Sequence, residues 1–245
     1  DRDKIQTREP DIGRVDIHGL IKAEGAKSIG YVMLSGAGTN TGTIEVIGHS
    51  NNQLGNTNYE GSLGFYGVKG TFTNTGTIKT EGNLAHAVVV KSTGMTFEHK
   101  GTIQVDSPNS NKGNIGVFSD GNATVNFGNN SNVFVKANSV GIYSADKDKF
   151  NSTFKNHGNV NIKIGADSTF AYLDGSATTN LKPFFNDGTK KVTIIEAMGA
   201  NSSLVYANNG AEALLDADYT ITQGNAAAST MALLAANTSN VTVDS

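Results

Sequence analysis

The side chains with the widest chemical range in this 245-residue chain are its five histidines and 22 acidic residues; it has no cysteine. His18, His49, His86, His99 and His157 include no pair with the HExxH spacing of a zinc enzyme. The lack of Cys excludes disulfide staples and thiolate zinc sites. Neither a GxSxG nucleophile elbow nor a phosphate-cradling Walker loop occurs. DKDK at 146–149 does not have the spacing of an EF-hand loop. Cleavage of a glycoside needs two carboxyl groups about 5–9.5 Å apart. The acidic candidates are Glu45, Glu81, Glu98, Asp106, Asp120, Asp167 and Asp174. Glu45 and Glu98 sit near equivalent turns but two repeats apart, with Thr73 and Lys79 between them. The spacing therefore gives no stacked acidic column, and no metal or cofactor site. The chain reads as a non-enzyme, with a carbohydrate-active β-helix enzyme as one alternative.

Binding chemistry is better served by the polar segments. The longest is GHSNNQLGNTNYEGS at 48–62. His49, Asn51, Asn52, Asn56, Asn58, Tyr59 and Glu60 offer hydrogen bonds suited to sugars or to a protein surface. SPNSNKGN (107–114) and SADKDKFNS (144–152) are shorter. Such loops bind when a rigid scaffold displays them, so the scaffold is the next question.

The scaffold is written as a repeat. An apolar residue, an Asn-type residue, a Gly and then alternating apolar residues recur in TNTGTIEV (39–46), FTNTGTIKT (72–80), FEHKGTIQV (97–105), FKNHGNVNI (154–162) and FNDGTKKVTI (185–194). NNSNVFV (129–135) is a weaker copy. The Asn-type positions Ile17, Asn40, Asn74, His99, Asn130, Asn156 and Asn186 are 23 to 34 residues apart. A constant motif at varying steps means that loops change length around a fixed strand and turn, as in solenoids. Between these copies lies a second series: SIGYVML, SLGFYGV, LAHAVVV, NIGVFSD, SVGIYSA, STFAYLD, SSLVYAN and STMALLA. Each repeat thus holds at least two short strands.

In TIEV, Ile44 and Val46 share one side of a strand while Thr43 and Glu45 share the other. At the turn, Asn40, Asn74, His99, Asn130, Asn156 and Asn186 are expected to stack and hydrogen-bond as a ladder. Gly42, Gly76, Gly101, Gly158 and Gly188 are expected to take positive φ. Phe72, Phe97, Phe127, Phe154 and Phe184 or Phe185 suggest an aromatic column in the core, offset at Phe127. AEALLDAD (211–218) is the one stretch that reads as a helical turn. The predicted fold is all-β, a right-handed parallel β-helix of about eight coils over 12–245, roughly 40 Å long at about 4.8 Å per coil. Residues 1–11 form an N-terminal extension or cap. A sandwich or barrel is the rival fold.

Composition agrees. Hydrophobic residues are 37% and charged residues 17%, against 29 glycines, which suits a thin core better than a thick one. The net charge of −3 gives no footprint for nucleic acid. No stretch has the ~18 apolar residues of a membrane helix. The first residues, DRDKIQTREP, lack the apolar run of a signal peptide. The chain reads as an internal fragment or a processed product.

NTGTIEV, NTGTIKT and the interleaved SLGFYGV and SVGIYSA resemble the passenger repeats of type V autotransporters. They are especially similar to the very large outer-membrane adhesins of fusobacteria. The likeness covers about residues 12–245. It implies a β-helical passenger at the bacterial cell surface or outside the cell, exported through a C-terminal membrane barrel that lies on another part of a longer parent. It also implies adhesion to host cells or other bacteria, with a surface protein or glycan as partner. A spacer or stalk that binds nothing is the other alternative. The resemblance maps no binding residue onto this chain. With no zinc spacing and no calcium motif, a chelator is expected to leave the melting temperature unchanged; a fall on adding EDTA would refute this.

Overall fold

The structure, a computed structural model, describes residues 13–49, 61–109, 113–120, 123–144, 149–153, 160–175, 178–181, 194–197, 199–216, 221–223, 230–235 and 237–244. These contain 25 strands and no helix. Gly and Asn interrupt the chain every few residues, and runs this short pack as strands.

Three strands make each coil. β1 (Arg14–Ile17), β2 (Leu20–Glu24) and β3 (Ile29–Met33) form the first. β4 (Ala37–Asn40), β5 (Thr43–Gly48) and β6 (Ser62–Gly67) form the second. The third holds β7 (Gly70–Asn74), β8 (Thr77–Gly82) and β9 (Ala85–Lys91), and the fourth β10 (Met95–His99), β11 (Thr102–Val105) and β12 (Asn114–Asp120). The fifth is β13 (Thr124–Gly128), β14 (Ser131–Val135) and β15 (Ser139–Ser144); the sixth is β16 (Lys149–Thr153), β17 (Val160–Ile164) and β18 (Thr169–Asp174). β19 (Thr178–Asn180), β20 (Ile194–Ala197) and β21 (Ser202–Asn208) make the seventh, and β22 (Glu212–Asp216), β23 (Ile221–Gln223) and β24 (Thr230–Ala235) the eighth. β25 (Asn240–Asp244) starts a further turn.

Every third strand pairs in parallel, so the sheets run along the stack. The first face is β1-β4-β7-β10-β13-β16, the second runs from β2 to β23 and the third from β3 to β24, while β19-β22-β25 forms a short separate sheet. The chain is a parallel β-helix. The Asn–x–Gly motif is the corner between first and second faces, and the second sequence series is the third face. The repeat thus has three strands where the sequence required at least two.

The core is thin and filled in columns. Ile44, Ile78, Ile103, Val133, Ile162 and Ile195 are register partners up the second face, all buried. The third face adds Phe65, Val88, Val117, Ile142, Ala171 and Val205. Phe65 stacks on Phe72 of the first face with ring centroids 4.1 Å apart. Phe72 and Phe97 are in register, and Val125 comes next in that column. Phe127 instead pairs with His99, so the aromatic column breaks there. Phe154, Phe184 and Phe185 lie outside the described residues.

Two further expectations are corrected. Residues 212–216 of AEALLDAD form strand β22. Ala213 and Leu215 are buried, and both β19 and β25 pair alongside, which overrides local helix propensity. Gly42, Gly76 and Gly101 are absent from the residues with positive φ. They are required for close approach: a Cβ on Gly76 would collide with the Gly42 carbonyl oxygen, and one on Gly101 with that of Gly76.

Five of the non-glycine residues with left-handed φ lie at the other corner, between second and third faces. Lys27, Leu84, Asn138, Asp167 and Asn201 have φ of 56, 46, 48, 53 and 56°. Each immediately precedes the first residue of a third-face segment. Usually that next residue is a serine whose hydroxyl donates to a corner carbonyl: Ser28 to Gly25 at 3.2 Å, Ser139 to Ala137 at 2.7 Å, Ser202 to Gly199 at 3.0 Å. In the fourth coil Asn114 takes this place. Its buried amide donates to the Asp106 and Gly82 carbonyls at 2.6 and 3.0 Å and accepts from the Ala85 amide at 2.7 Å. Leu84 is the costly member, since a bulky side chain disfavours positive φ.

Ile78 is fully buried whereas its neighbour Thr77 is half-buried. Ile78→Asp is therefore expected to cost upward of about 4 kcal/mol or abolish folding, because it buries a carboxylate among apolar groups. Thr77→Asp should cost about 1 kcal/mol or less. Equal melting temperatures for the two variants would refute the register.

Candidate functional site

Of the polar loop, His49 is exposed just after β5. Asn51, Asn52, Asn56, Asn58, Tyr59 and Glu60 lie outside the described residues. The corner motif is described for three coils. Asn40 donates from Nδ2 to Asn74 Oδ1 at 2.7 Å, and Asn74 Nδ2 lies 3.2 Å from His99 Nδ1. All three are fully buried. Asn40 Oδ1 also accepts from the Gly42 amide at 3.1 Å, closing the corner locally. Asn130 is not part of this column: it is exposed in the turn after β13 with φ 60°, and Phe127 stands over His99 with rings edge to face at 5.7 Å. The one-step shift arises because the fifth coil turns through Asn129–Asn130 rather than an Asn–x–Gly corner. Asn156, Gly158, Asn186 and Gly188 lie outside the described residues, as does His157.

His99 Nε2 lies 3.1 Å from the Asn132 carbonyl oxygen, a hydrogen bond that this nitrogen donates. Burial pushes its pKa down to about 4, against a smaller upward effect of that bond. His99 is therefore neutral at pH 7, with its one ring N–H directed to the Asn132 carbonyl and its other nitrogen facing the Asn74 amide.

The acidic candidates are dispersed. Glu45 pairs with Lys79 at 2.7 Å, which holds its carboxyl below the usual range. Glu98 accepts from Asn126 at 2.6 Å, and Asp167 from Asn201 at 3.0 Å. Glu81 and Asp106 line one concavity of about 570 Å³ at the second corner. The side chain of Asp120 lies outside the described residues. Among the described residues no three His, Asp or Glu side chains come together as a metal site.

The outward surfaces of the three faces differ. The first carries Asp16, Thr39, Thr73, Glu98 and Asn126 in one row. The second carries Lys22, Glu45, Lys79, Gln104, Phe134, Lys163 and Glu196 in one row and Leu20, Thr43, Thr77, Thr102, Asn132 and Asn161 in another. The third is mostly apolar and largely covered, with Leu63, His86, Val89, Ile115, Phe118 and Tyr143 all buried. One row is Leu63, His86, Ile115, Val140, Thr169 and Ser203; the other is Tyr66, Val89, Phe118, Tyr143, Tyr172 and Tyr206. Eight of these form an apolar cluster separate from the main core. Phe118 stacks on Tyr143 at 5.2 Å and Tyr143 on Tyr172 at 5.3 Å, while Tyr206 meets Tyr172 edge-on at 5.0 Å.

Polar groups line one end of this strip. Tyr143 donates its hydroxyl to Asp174 Oδ2 at 3.1 Å, and Asn209 Nδ2 donates to Asp174 Oδ1 at 2.6 Å. Asn208 Nδ2 donates to the Tyr172 hydroxyl oxygen at 2.9 Å and accepts from Asn237 at 2.7 Å. Partial burial raises the Tyr172 pKa above its ordinary value. Between strip and rim lies a concavity of about 310 Å³ whose lining includes His86, Ile115, Val140, Tyr143, Tyr172 and Asp174. His86 is held by the Ile115 amide, which donates to Nδ1 at 3.1 Å. An apolar floor with a few oriented polar groups is the usual make-up of a ligand site.

Sequence reasoning missed this row, although its signal is present. In SLGFYGV, NIGVFSD, SVGIYSA, STFAYLD and SSLVYAN the fifth residue is always Tyr or Phe. Compared with protein-family models, curated proteins and solved structures, the chain matches none. No helix of the described residues is long and apolar enough to cross a membrane.

The buried His99 generates a pH dependence with a fixed sign. The unfolded chain binds a proton near pH 6.5 and the folded one only near 4, so stability falls as pH drops between those values. The loss attributable to His99 is on the order of 3 kcal/mol. His99→Asn, which keeps an amide beneath Asn74, should reduce the fall between pH 7 and pH 4 by that amount. Identical pH profiles of denaturant midpoint for both proteins would refute the assignment.

Proposed function

We propose that this chain is an adhesive segment of a surface-exposed bacterial autotransporter passenger, a rod that carries contact surfaces away from the cell. The observation that carries the reading is the asymmetry of the three outer surfaces. Two carry mainly Thr, Asn and paired charges, and one carries an apolar and aromatic row, buried at Val89, Phe118 and Tyr143 and half-buried at Tyr172 and Tyr206, with a concavity and a polar rim beside it. A concavity of apolar lining with a few oriented polar groups marks contact with another molecule. The partner is a host or bacterial surface protein or glycan, met by the third face together with the polar loop at 48–62. The repeat words shared with autotransporter passengers support the cellular setting. A second reading, a stalk without ligand, draws on the way cross-coil hydrogen bonds and ion pairs already occupy the first two faces.

Latex beads coated with the 245-residue chain are expected to adhere to epithelial or bacterial cells, and deletion of 48–62 to reduce adhesion severalfold. Adhesion no better than that of uncoated beads, with the chain shown to be folded by its β-sheet circular dichroism, would overturn the adhesive reading in favour of the stalk.

A further inference from the structure

We propose that the groove around Tyr143, Tyr172 and Asp174 binds a neutral, extended oligosaccharide lying along the coil stack, with about one sugar ring per coil. The proposal rests on the adhesive reading and names its ligand class.

The concavity runs along the stack, lined by His86, then Ile115, then Val140 and Tyr143, then Tyr172 and Asp174 from four successive coils. The step per coil is that of the ring row beside it, in which the buried Phe118 and Tyr143 and the half-buried Tyr172 and Tyr206 succeed one another at 5.2, 5.3 and 5.0 Å. An extended β-1,4-linked pyranose chain advances by close to one such step per sugar, so equivalent groups on successive rings meet equivalent groups on successive coils. An extended peptide does not match. Its side chains recur on one side every two residues, roughly 6.7 Å, and fall out of step after one coil.

Tyr143 and Tyr172 lie parallel within 9°, so their faces are turned to each other. Tyr143 is buried and Tyr172 half-buried, so what they offer the concavity is edge and phenolic hydroxyl rather than ring face. Beside them Asp174, Asn208 and Asn209 supply acceptors and amide donors already oriented by mutual hydrogen bonds. A row of fixed donors and acceptors over an apolar floor suits a ligand with hydroxyls on its rim and C–H groups on its faces. Such preorganised groups lose little entropy on binding.

The two outward rows of the third face, from Leu63 to Ser203 and from Tyr66 to Tyr206, contain no Asp, Glu, Lys or Arg. Among the described residues that line the concavity, Asp174 is the one acidic group and there is no Lys or Arg. An acidic sugar or a phosphate would face the Asp174 carboxylate.

The test is calorimetric titration of the 245-residue chain with cellotetraose, chitotetraose and a sialylated tetrasaccharide. At least one neutral tetramer is expected to bind and the sialylated one not to. Tyr172→Phe and Asp174→Asn, which keep the shape of the groove, should each weaken binding at least about tenfold. Glu45→Gln on the second face should leave it unchanged. Failure of both neutral tetramers to bind, preference for the sialylated one, or binding indifferent to both groove variants overturns the proposal. Bead adhesion separates this from the wider reading. Cell adhesion that survives Asp174→Asn overturns the groove and leaves the adhesive reading standing. Tetramer binding by a chain that adheres to no cell supports the groove and overturns the adhesive reading.

Discussion

Backbone hydrogen bonds between successive coils fix each residue about one strand spacing above its equivalent. They run in parallel register through all three faces, as Thr43, Thr77 and Thr102 illustrate. Each position must therefore tolerate a near copy of itself above and below. A buried amide is admissible at Asn40 because Asn74 answers it, and at Asn74 because His99 does. A glycine at Gly76 is required because the Gly42 backbone leaves no room for a methyl group. Charges persist on the second face because Glu45 has Lys79 beside it. The core needs few large side chains because each coil contributes only a thin layer.

The same constraint decides what the sequence reveals. The Asn–x–Gly corner is legible because both its residues are fixed by direct contact with their equivalents, so the words NTGTIEV and NTGTIKT are nearly identical. The fold class followed from that recurrence. The second corner is harder to read. It needs a backbone with positive φ, and Lys27, Gly61, Leu84, Asn138 and Asp167 all meet that need, so no single letter marks it. Asn114 escapes notice for a related reason: it stands where its neighbours carry Ser, and only its three corner contacts show its weight. Positive φ at Gly42 and Gly76 was the natural expectation from turn chemistry, but a tight stack calls for glycine on steric grounds even where φ is ordinary.

The candidate site was only partly legible. Polar loops draw the eye because they interrupt the repeat, whereas the Tyr and Phe row is part of it and reads as core. Alternation decides between core and surface, and the third face disrupts alternation: Phe170 and Ala171 are consecutive and both buried inward. That local irregularity turns Tyr172 outward while Leu173 points back into the core. A simple two-residue period assigns one of these residues to the wrong side, and with it the whole ladder.

The placement of β1 and β25 at opposite ends of the stack has a mechanical consequence. Tension applied between them runs along the rod and across the inter-coil hydrogen bonds, which open as a zipper rather than shearing together. The rod would then peel winding by winding, each release paying out a length of slack before the next winding takes the strain. A tether built this way limits the peak force reaching whatever it holds, because its extension grows in steps while most of the stack stays folded.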